Sequence, residues 1–330
     1  MSRAIRREAM RSIKVRLCAT AVALAALVAP ATAAEWPNRP VRIVAPSTPG
    51  GAADLFARLL ADQLGVLFKE RFYVDNRAGG GGLIGAQTVA HAEPDGYTFV
   101  TSSIAYHAIA PAASRDPGFD PMRDFTHIAY IGGPPNVFVI NPALPARSLK
   151  ELVALAREKT LDYVSPGVGT LGHLLVEYFA QKAGIKLQHI PHKGAAQAMF
   201  DVVAGNVPFG SMTWSSALGQ IRAGKVLPIA VSSKARVAEF PEVPTLAELG
   251  YDDLVVHTWF ALSGPAGVPD EIVRKLNRAV IEALALPDVR KRLAQDAIVS
   301  EPMTPEEMTR FMASEIAKWG PIARRFVQTP

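Results

Sequence analysis

The spacing of apolar residues changes regularly between residues 40 and 100. Short apolar runs predict strands at 41–45, 72–74 and 97–100. After the first of them, Leu55, Leu59, Leu60 and Leu64 share one face of a helix predicted over 52–67, and a second helix is predicted over 83–91. This β-α-β-α-β order is typical of a largely parallel sheet that is covered by helices on both faces.

The same alternation returns in the second half of the chain. A strand-rich stretch covers 127–141. The strands predicted after it are 162–165, 187–190, 207–212 and 227–232, and the helices are 148–158, 171–183, 195–204 and 216–223. A strand at 257–262 then precedes helices at 270–284, 287–294 and 304–326. No long linker separates the halves, so the pattern predicts an α/β protein of two lobes joined by close crossing strands.

The first 34 residues have the order of a secretory signal peptide. Basic residues precede an apolar run over 17–29 that only Thr20 interrupts, and Ala31-Thr32-Ala33 supplies small residues for cleavage. The apolar run has 13 residues, whereas a membrane-spanning helix needs about 20. We therefore predict a signal peptide over 1–34 that begins at Met1 or Met10, is cleaved near Ala33 and directs the protein to the periplasm. A buried N-terminal helix or a membrane anchor is the alternative.

Removing this leader changes the interpretation of the charge. The chain has 35 basic and 30 acidic residues, and the leader holds six of the former and one of the latter, which leaves 29 of each. The high pI therefore gives no argument for nucleic-acid binding. Cys18 is the only cysteine and lies in the leader, so disulfides and cysteine-zinc sites are excluded from the mature chain.

Two glycine-rich loops, one in each lobe, join a predicted strand to a predicted helix. At such a junction the free N–H groups and the positive end of the helix dipole meet, and two loops facing each other would hold an anion from both sides. The loop residues that we predict to contact a ligand are Thr48, Pro49, Gly50, Gly51, Asp54, Ser165, Gly167, Gly169, Thr170 and His173. The alternative is that glycine and proline only mark turns here.

Several polar residues have two interpretations each. Asp54 either caps its own helix or accepts a hydrogen bond from a ligand. His107, which follows Ser102, and His173 either donate to a carboxylate or serve the structure. His189 and His192 have the spacing of a metal pair, but on a strand they would face opposite sides, and we predict no metal site.

Motifs for cofactors and catalysis are weak or absent in the sequence. Gly80, Gly82 and Gly85 match a dinucleotide-binding pattern, but a lone match is weak evidence, and we interpret it as a tight loop that opens a helix. The sequence has no G-x-S-x-G or H-E-x-x-H motif and, after the leader, no cysteine nucleophile. We predict no cofactor and no enzymatic activity.

A series of short motifs resembles the extracytoplasmic receptors of tripartite tricarboxylate transporters, the Bug family of periplasmic binding proteins. The matching segments include Trp36-Pro37, Pro49-Gly50-Gly51 with Asp54, Asn76-Arg77, Pro94-Asp95-Gly96-Tyr97, Asn136, Asn141-Pro142, Gly167-Val168-Gly169-Thr170, His173-Leu174, Val243-Pro244-Thr245, Trp259-Phe260 and Lys318-Trp319. They occur in order over essentially the whole mature chain.

The resemblance implies a type II periplasmic-binding-protein fold with a ligand cleft between two lobes. The first lobe would cover 35–137 and 257–330 and the second 138–256, with Asn136 close to the crossing. It implies a non-enzymatic, monomeric receptor that closes on a small organic carboxylate and delivers it to a permease with large and small subunits. Presentation of the ligand to a sensor kinase is one alternative, and processing of a carboxylate by an exported enzyme is another.

The sequence departs from the family pattern at two places. His192 stands where the family has Tyr, and Ser211-Met212-Thr213-Trp214 stands where the family has Phe-Asp-Asn. We place Met212, Thr213 and Trp214 on the wall of the cleft and expect them to make it more apolar. This change favours a monocarboxylate or an aromatic carboxylate over citrate or an amino acid.

Overall fold

The computed structural model describes residues 35–192, 194–298 and 300–327. The predicted signal peptide over 1–34, with its cleavage site, lies outside the described residues. No helix within the described ranges is long and apolar enough to cross a membrane.

The strands are β1 (Val41–Ala45), β2 (Phe72–Asn76), β3 (Thr98–Ser103), β4 (Phe125–Gly132), β5 (Asn136–Ile140), β6 (Leu161–Ser165), β7 (Leu187–Pro191), β8 (Phe209–Thr213), β9 (Leu227–Val231) and β10 (Phe260–Pro265). The helices are α1 (Ala52–Phe68), α2 (Leu83–Ala90), α3 (Ala110–Ala113), α4 (Leu149–Glu158), α5 (Leu171–Ala183), α6 (Ala195–Ala204), α7 (Trp214–Arg222), α8 (Asp270–Ala285), α9 (Pro287–Gln295) and α10 (Pro305–Phe326). A π-helical turn at Ile104–Ile109 leads into α3, and 3₁₀ turns lie at Gly80–Gly82 and Asp252–Leu254.

The strands form two sheets with the same arrangement. The first sheet has the order β2-β1-β3-β10-β4 and the second has the order β7-β6-β8-β5-β9. In the first, β1 pairs in parallel with β2 and β3, and β10 enters antiparallel between β3 and β4. In the second, β6 pairs in parallel with β7 and β8, and β5 enters antiparallel between β8 and β9. The expected fold of two α/β lobes with crossing strands is confirmed.

The two crossing segments run side by side. The chain passes from β4 to β5 and returns to β10, and the N–H of Thr258 donates to the carbonyl of Pro134 at 2.9 Å. Gly133 allows this approach, because a Cβ atom there would lie 2.0 Å from the carbonyl oxygen of Thr258. Since residues 257–259 form the crossing, the strand predicted at 257–262 lies instead at Phe260–Pro265.

The register of the crossing strands fixes where the cleft lies. Asn136, at the start of β5, pairs with Thr213, at the end of β8. Phe260, at the start of β10, pairs with Ser103, at the end of β3. Both sheets therefore direct the carboxyl ends of their parallel strands, and the helix N-termini that follow them, toward the crossing, which is where open α/β sheets bind ligands.

Local sequence signals set several helix ends. Thr304 and Glu307 form a reciprocal capping box at the start of α10, with Pro305 in the first turn. Ser148 caps α4 by accepting from the N–H of Glu151, and Gly184 ends α5 in a left-handed conformation at φ 64°.

Helix α10 joins the cores of the two lobes. It packs on α3, the π-helical turn and β4 of the first lobe, and on α5 of the second. Its buried residues Met308, Met312 and Trp319 belong to a continuous apolar cluster that also contains Phe138 and Phe179 of the second lobe. The indole N–H of Trp259 donates to the Glu315 carboxylate of this helix at 2.8 Å.

Candidate functional site

A cavity of about 360 Å³ opens between the lobes beside the crossing. Its lining residues are Gly50, Ala52, Leu55, Phe56, Leu59, Pro134, Phe260, Arg292, Leu293, Asp296 and Ile298, with Thr213, Ser215 and Ser216 from the second lobe. This volume falls in the range of small-ligand sites. The N-terminus of α1 forms one wall and the N-terminus of α7 another.

The N-terminus of α1 has no side-chain cap. Gly51 occupies the N-cap position with an extended backbone and makes no side-chain hydrogen bond. Gly50 has φ 80°, and no heavy atom lies within 4 Å of the position that a Cβ would take. The first N–H groups of α1 therefore carry the positive end of the helix dipole without a side chain to satisfy them.

Asp54 holds the loop before α1 in place. Its carboxylate is 2 % exposed and accepts from the Gly50 N–H at 2.8 Å, from Arg58 at 3.0 Å and from the Asn76 amide at 2.9 Å. Burial would raise the pKa of Asp54, but the bonds from Arg58, Gly50 and Asn76 outweigh it and lower the pKa. Both oxygens thus bond to the protein itself, and Asp54 braces the loop instead of capping α1.

The N-terminus of α7 is also without a side-chain cap. Thr213 is its N-cap residue, but the Thr213 hydroxyl lies 2.7 Å from the Ser216 hydroxyl and caps no backbone N–H. The N–H of Trp214 donates to the carbonyl of Pro135 at 2.8 Å. The N–H groups of Ser215 and Ser216 remain at the helix end. Of these residues, the sequence predicted Thr213 and missed the two serines, whose signal is a hydroxyl-rich strand-to-helix junction.

These two helix ends line the same cavity from opposite lobes. Each has the positive end of a helix dipole, and no side chain accepts from its first N–H groups; the Asp54 carboxylate lies in the first turn of α1 but bonds to Gly50, Arg58 and Asn76. An anionic group between them would bond to both lobes at once. The geometry therefore brings together the N-termini of α1 and α7. The sequence instead predicted that the loop before α1 faces the loop before α5.

The loop before α5 satisfies most of its own donors. The Thr170 hydroxyl caps the N–H of His173 at 3.4 Å and donates to the Gly167 carbonyl at 2.8 Å. The N–H of Gly169 donates to Nδ1 of His173 at 3.3 Å. None of these residues lines the 360 Å³ cavity. Gly169 instead lies against Val327, whose methyl groups are 3.8 Å and 3.9 Å from its Cβ position.

Histidines stack behind this loop. His189 lies between His173, with ring centroids 4.2 Å apart, and Tyr163, with centroids 4.8 Å apart. Nε2 of His189 is 2.8 Å from the Ser165 hydroxyl. Burial lowers the pKa of His173 and of His189 to about 4, so both rings are neutral at pH 7. They support the loop from within the lobe.

His192 lies apart from His189. Its Nε2 is 3.0 Å from a carboxylate oxygen of Asp201. Within the described ranges, no group of three or more His, Cys, Asp or Glu side chains is arranged to hold a metal ion.

Ser102 lies inside the first sheet. Its hydroxyl donates to Ser263 at 2.6 Å, Ser263 lies 3.0 Å from Nδ1 of His127, and Nε2 of His127 lies 3.0 Å from the carbonyl of Pro121. Since only a protonated Nε2 can bond to that carbonyl, Nδ1 accepts from Ser263. Burial lowers the pKa of His127 to about 4. Ser102 is fully buried in this chain and does not line the cleft cavity.

His107 is fully buried in the first lobe. Its ring packs edge-on against Phe125, with centroids 4.6 Å apart, and neither ring nitrogen has a partner among the described residues. Burial, and secondarily His127, lowers its pKa well below the ordinary value. His107 lines a separate cavity of about 550 Å³ beside Phe119 and Arg324, so the structure does not bring it to the cleft.

Asn136 lies at the crossing with a free donor. Its backbone N–H and carbonyl bond to Ser232, and its side-chain Oδ1 accepts from the Thr258 hydroxyl at 2.9 Å. Its Nδ2 has no hydrogen-bond partner among the described residues and lies 3.3 Å from the Cβ position of Gly172. Ser103, at the end of β3, is also buried. The sequence predicted Asn136 but not Ser103.

Met212 and Trp214 do not form the apolar cleft wall expected from the sequence. Both side chains are buried in the core cluster of the second lobe, at 0 % and 1 % exposure. Trp214 packs edge-on against Phe240, with centroids 5.4 Å apart. Thr213, Ser215 and Ser216 line the cavity instead, so this wall carries hydroxyl groups. The apolar part of the cavity comes from Leu55, Phe56 and Leu59 of α1.

The glycines at 80, 82 and 85 serve packing. A Cβ on Gly82 would lie 2.1 Å from the Tyr106 ring, and one on Gly85 would lie 2.9 Å from the carbonyl of Arg77. Gly80 has φ 58° in the 3₁₀ turn. These contacts agree with a tight loop that opens α2.

Known proteins similar to this chain bear on its function. The family model described as tripartite tricarboxylate transporter family receptor matches residues 56–327. Protein BugT of Bordetella pertussis is 34 % identical over 306 residues, covering 92 % of this chain and 94 % of BugT.

Solved structures are similar over nearly the same length. The R. palustris protein Rpa4515 with adipate has a TM-score of 0.79 at 33 % identity, covering 88 % of this chain and 98 % of that one. MatC from Rhodopseudomonas palustris with bound malate has a TM-score of 0.77 at 28 % identity, covering 87 % of this chain and 100 % of that one. The periplasmic binding protein BugD has a TM-score of 0.75 at 29 % identity, covering 88 % and 98 %.

Proposed function

Because the chain belongs to the family of tripartite tricarboxylate transporter receptors, we propose that it captures a small organic carboxylate between the N-termini of α1 and α7. The observation that carries this proposal is the pair of uncapped helix ends that line one cavity from opposite lobes. Backbone N–H groups and aligned helix dipoles supply the positive potential that a carboxylate needs, without a buried charged side chain.

Closure of the lobes follows from the same geometry. A ligand that contacts one lobe binds the open and closed forms equally and shifts neither. A carboxylate that bonds to both helix ends binds the closed form better, and the crossing segments beside Gly133 provide the hinge. The Nδ2 group of Asn136 is a further donor at this edge. Ligand contacts from the loop before α5, which the sequence predicted, are the alternative to this arrangement.

The ligand class that we propose is an aliphatic carboxylate. Similar structures carry adipate and malate, which are both dicarboxylates. The argument for an aromatic or monocarboxylate ligand depended on Met212 and Trp214 as a cleft wall, and their burial removes that argument. The Leu55, Phe56 and Leu59 side chains suit a short aliphatic chain.

The cellular role in this proposal is that of an exported receptor. The leader over 1–34 is cleaved near Ala33, and the monomeric mature protein presents its ligand to a membrane permease and catalyses no reaction. The lobe boundaries at 137/138 and 256/257 belong to the same proposal, and the change of sheet between Gly132 and Asn136 supports the first of them.

A charge placed at the end of α7 tests the site. Ser216 is exposed at the first turn, where an aspartate is favourable for the helix but repels a bound carboxylate. Ser216→Asp should abolish carboxylate binding in calorimetric titration while the thermal midpoint does not fall, and Ser216→Ala should bind within about twofold of the wild type. Unchanged affinity in Ser216→Asp would contradict the proposed site. Conversion of the ligand, followed by mass spectrometry, would favour an enzyme instead.

A further inference from the structure

We propose that Arg292 binds a second carboxylate at the far end of the ligand, so that the receptor selects dicarboxylates over monocarboxylates of the same length. The inference rests on the proposed function, because it assumes that the first carboxylate lies at the ends of α1 and α7. It adds a residue of the C-terminal part of the chain, outside both glycine loops, to the binding site.

Arg292 is the only cationic side chain among the described residues that line the cleft cavity. It lies near the end of α9 and is exposed. No carboxylate of the described residues comes within 4.0 Å of its guanidinium. Its donors therefore remain available, and a guanidinium can bond to a carboxylate through two parallel N–H groups.

Asp296 is the only acidic side chain in the same lining, one turn after Arg292. Burial raises the pKa of Asp296, and the charge of Arg292 opposes this rise. The two groups are thus close enough to interact but form no direct ion pair in the described structure. A ligand carboxylate that binds the guanidinium would replace a weak interaction with a bidentate one.

The cavity lining also has an apolar part, which Leu55, Phe56 and Leu59 of α1 form. Leu55 and Leu59 lie one turn apart on α1, and Phe56 stacks on Phe260 with ring centroids 4.5 Å apart. Leu55 is 49 % exposed, on the face of α1 opposite its buried residues, and this leaves apolar area for a ligand to cover. A methylene chain fits this stretch better than hydroxyl or amine groups, which would lose hydration there without a partner.

Acid pairs of matched length test the inference. The probes are butanoate with succinate, and hexanoate with adipate, titrated calorimetrically into the wild type, Arg292→Gln, Arg292→Lys and Lys291→Gln. Lys291 is exposed on the same helix and does not line the cavity, so its variant controls for the loss of a positive charge.

We expect the wild type to bind one diacid about 10- to 100-fold more tightly than its monoacid partner, as a bond to a charged group implies. Arg292→Gln should remove that difference by weakening the diacid alone, Arg292→Lys should retain part of it, and Lys291→Gln should retain all of it. Higher salt should reduce the difference, because Arg292 is exposed.

Two results would overturn the inference. One is an equal affinity of the wild type for both members of each pair. The other is an unchanged ratio of diacid to monoacid affinity in Arg292→Gln, which an equal loss of affinity for both acids would also give. In each case binding of the monoacid by the wild type would still support the proposed function. Failure of the wild type to bind any of the four acids would contradict the proposed function, and the inference would fall with it.

Discussion

Asp54 gives a direct test of how the first loop is held. Asp54→Asn keeps the size of the side chain but replaces one acceptor oxygen with an NH₂ donor. Oδ2 of Asp54 accepts from the Gly50 N–H at 2.8 Å and Oδ1 accepts from the Asn76 amide at 2.9 Å. Whichever way the new amide turns, its NH₂ group faces one of these donors.

The expected cost follows from these contacts. Losing a hydrogen bond to a charged acceptor costs about 1.5–3 kcal/mol, and a buried donor left without an acceptor costs about 1–3 kcal/mol. The ion pair with Arg58 adds less than about 1 kcal/mol, because the Arg58 side chain is 53 % exposed. We expect the free energy of unfolding to fall by about 3 kcal/mol, and carboxylate affinity to fall because Gly50 loses its position.

Urea unfolding, followed by circular dichroism, measures this loss. Asp62→Asn is the matched control, because Asp62 is exposed on the same helix and its variant removes the same charge. The control should change the free energy of unfolding by less than about 0.5 kcal/mol. The bracing role is refuted if Asp54→Asn unfolds with less than about 1 kcal/mol of loss yet no longer binds carboxylates. That result would show that Asp54 contacts the ligand directly.

Three further predictions concern pH, the crossing and the second loop. Burial lowers the pKa of His127 to about 4, so the unfolded chain binds its proton first. The contribution of His127 to stability is complete above about pH 6.5 and is smaller by about 2 kcal/mol at pH 5. Because burial also lowers the pKa of His173 and His189 to about 4, urea unfolding at pH 7 and pH 5 should show at least this loss, and His127→Gln should reduce it. Gly133→Ala should destabilise the protein by more than about 2 kcal/mol, since its Cβ would lie 2.0 Å from the Thr258 oxygen. Gly65→Ala is the control and should not destabilise the protein in this way, because its Cβ would meet nothing closer than 3.5 Å. Equal stabilities of the two variants would contradict the close crossing. Gly169→Trp should alter carboxylate affinity by less than about threefold, because the loop that contains Gly169 forms its hydrogen bonds within itself. A tenfold loss of affinity in calorimetry would instead support the contact between this loop and the ligand that the sequence predicted.

The alternation of strands and helices was predictable because each element has a simple apolar period. Leu60 and Leu64 are fully buried on α1, as their spacing predicts, whereas Leu55, which was assigned to the same face, is 49 % exposed. The π-helical turn at Ile104–Ile109 was not predicted, because six residues are too short a stretch to show a helical period. The split of 127–141 into β4 and β5 depends on the crossing, which no local pattern encodes.

The site was predictable in part for the same reason. The loop before α1 has the glycine and proline composition of a turn before a helix N-terminus, and Gly50, which this composition pointed to, lines the cavity. Met212 was placed on the wrong side, because alternation along β8 does not tell which face is the core. Arg292 could not be predicted from the sequence, because the cavity residues of the other elements lie far from it along the chain. Only Leu293, Asp296 and Ile298 are its sequence neighbours in the lining.

The exchange of strands between the lobes has a consequence for the order of folding. The second sheet uses only β5 to β9, a contiguous stretch of chain, whereas β10 lies between β3 and β4 of the first sheet. Until residues 260–265 have been synthesised, β4 has no neighbour in that sheet. Strand β10, which must pair with β3 and β4, is separated from both along the chain by the whole second lobe. Pairings of such high contact order form late. The second lobe, although it begins to emerge from the ribosome after the first, therefore completes its sheet first. A chain that stops before β10 would leave β4 separated from β2, β1 and β3 of the first sheet.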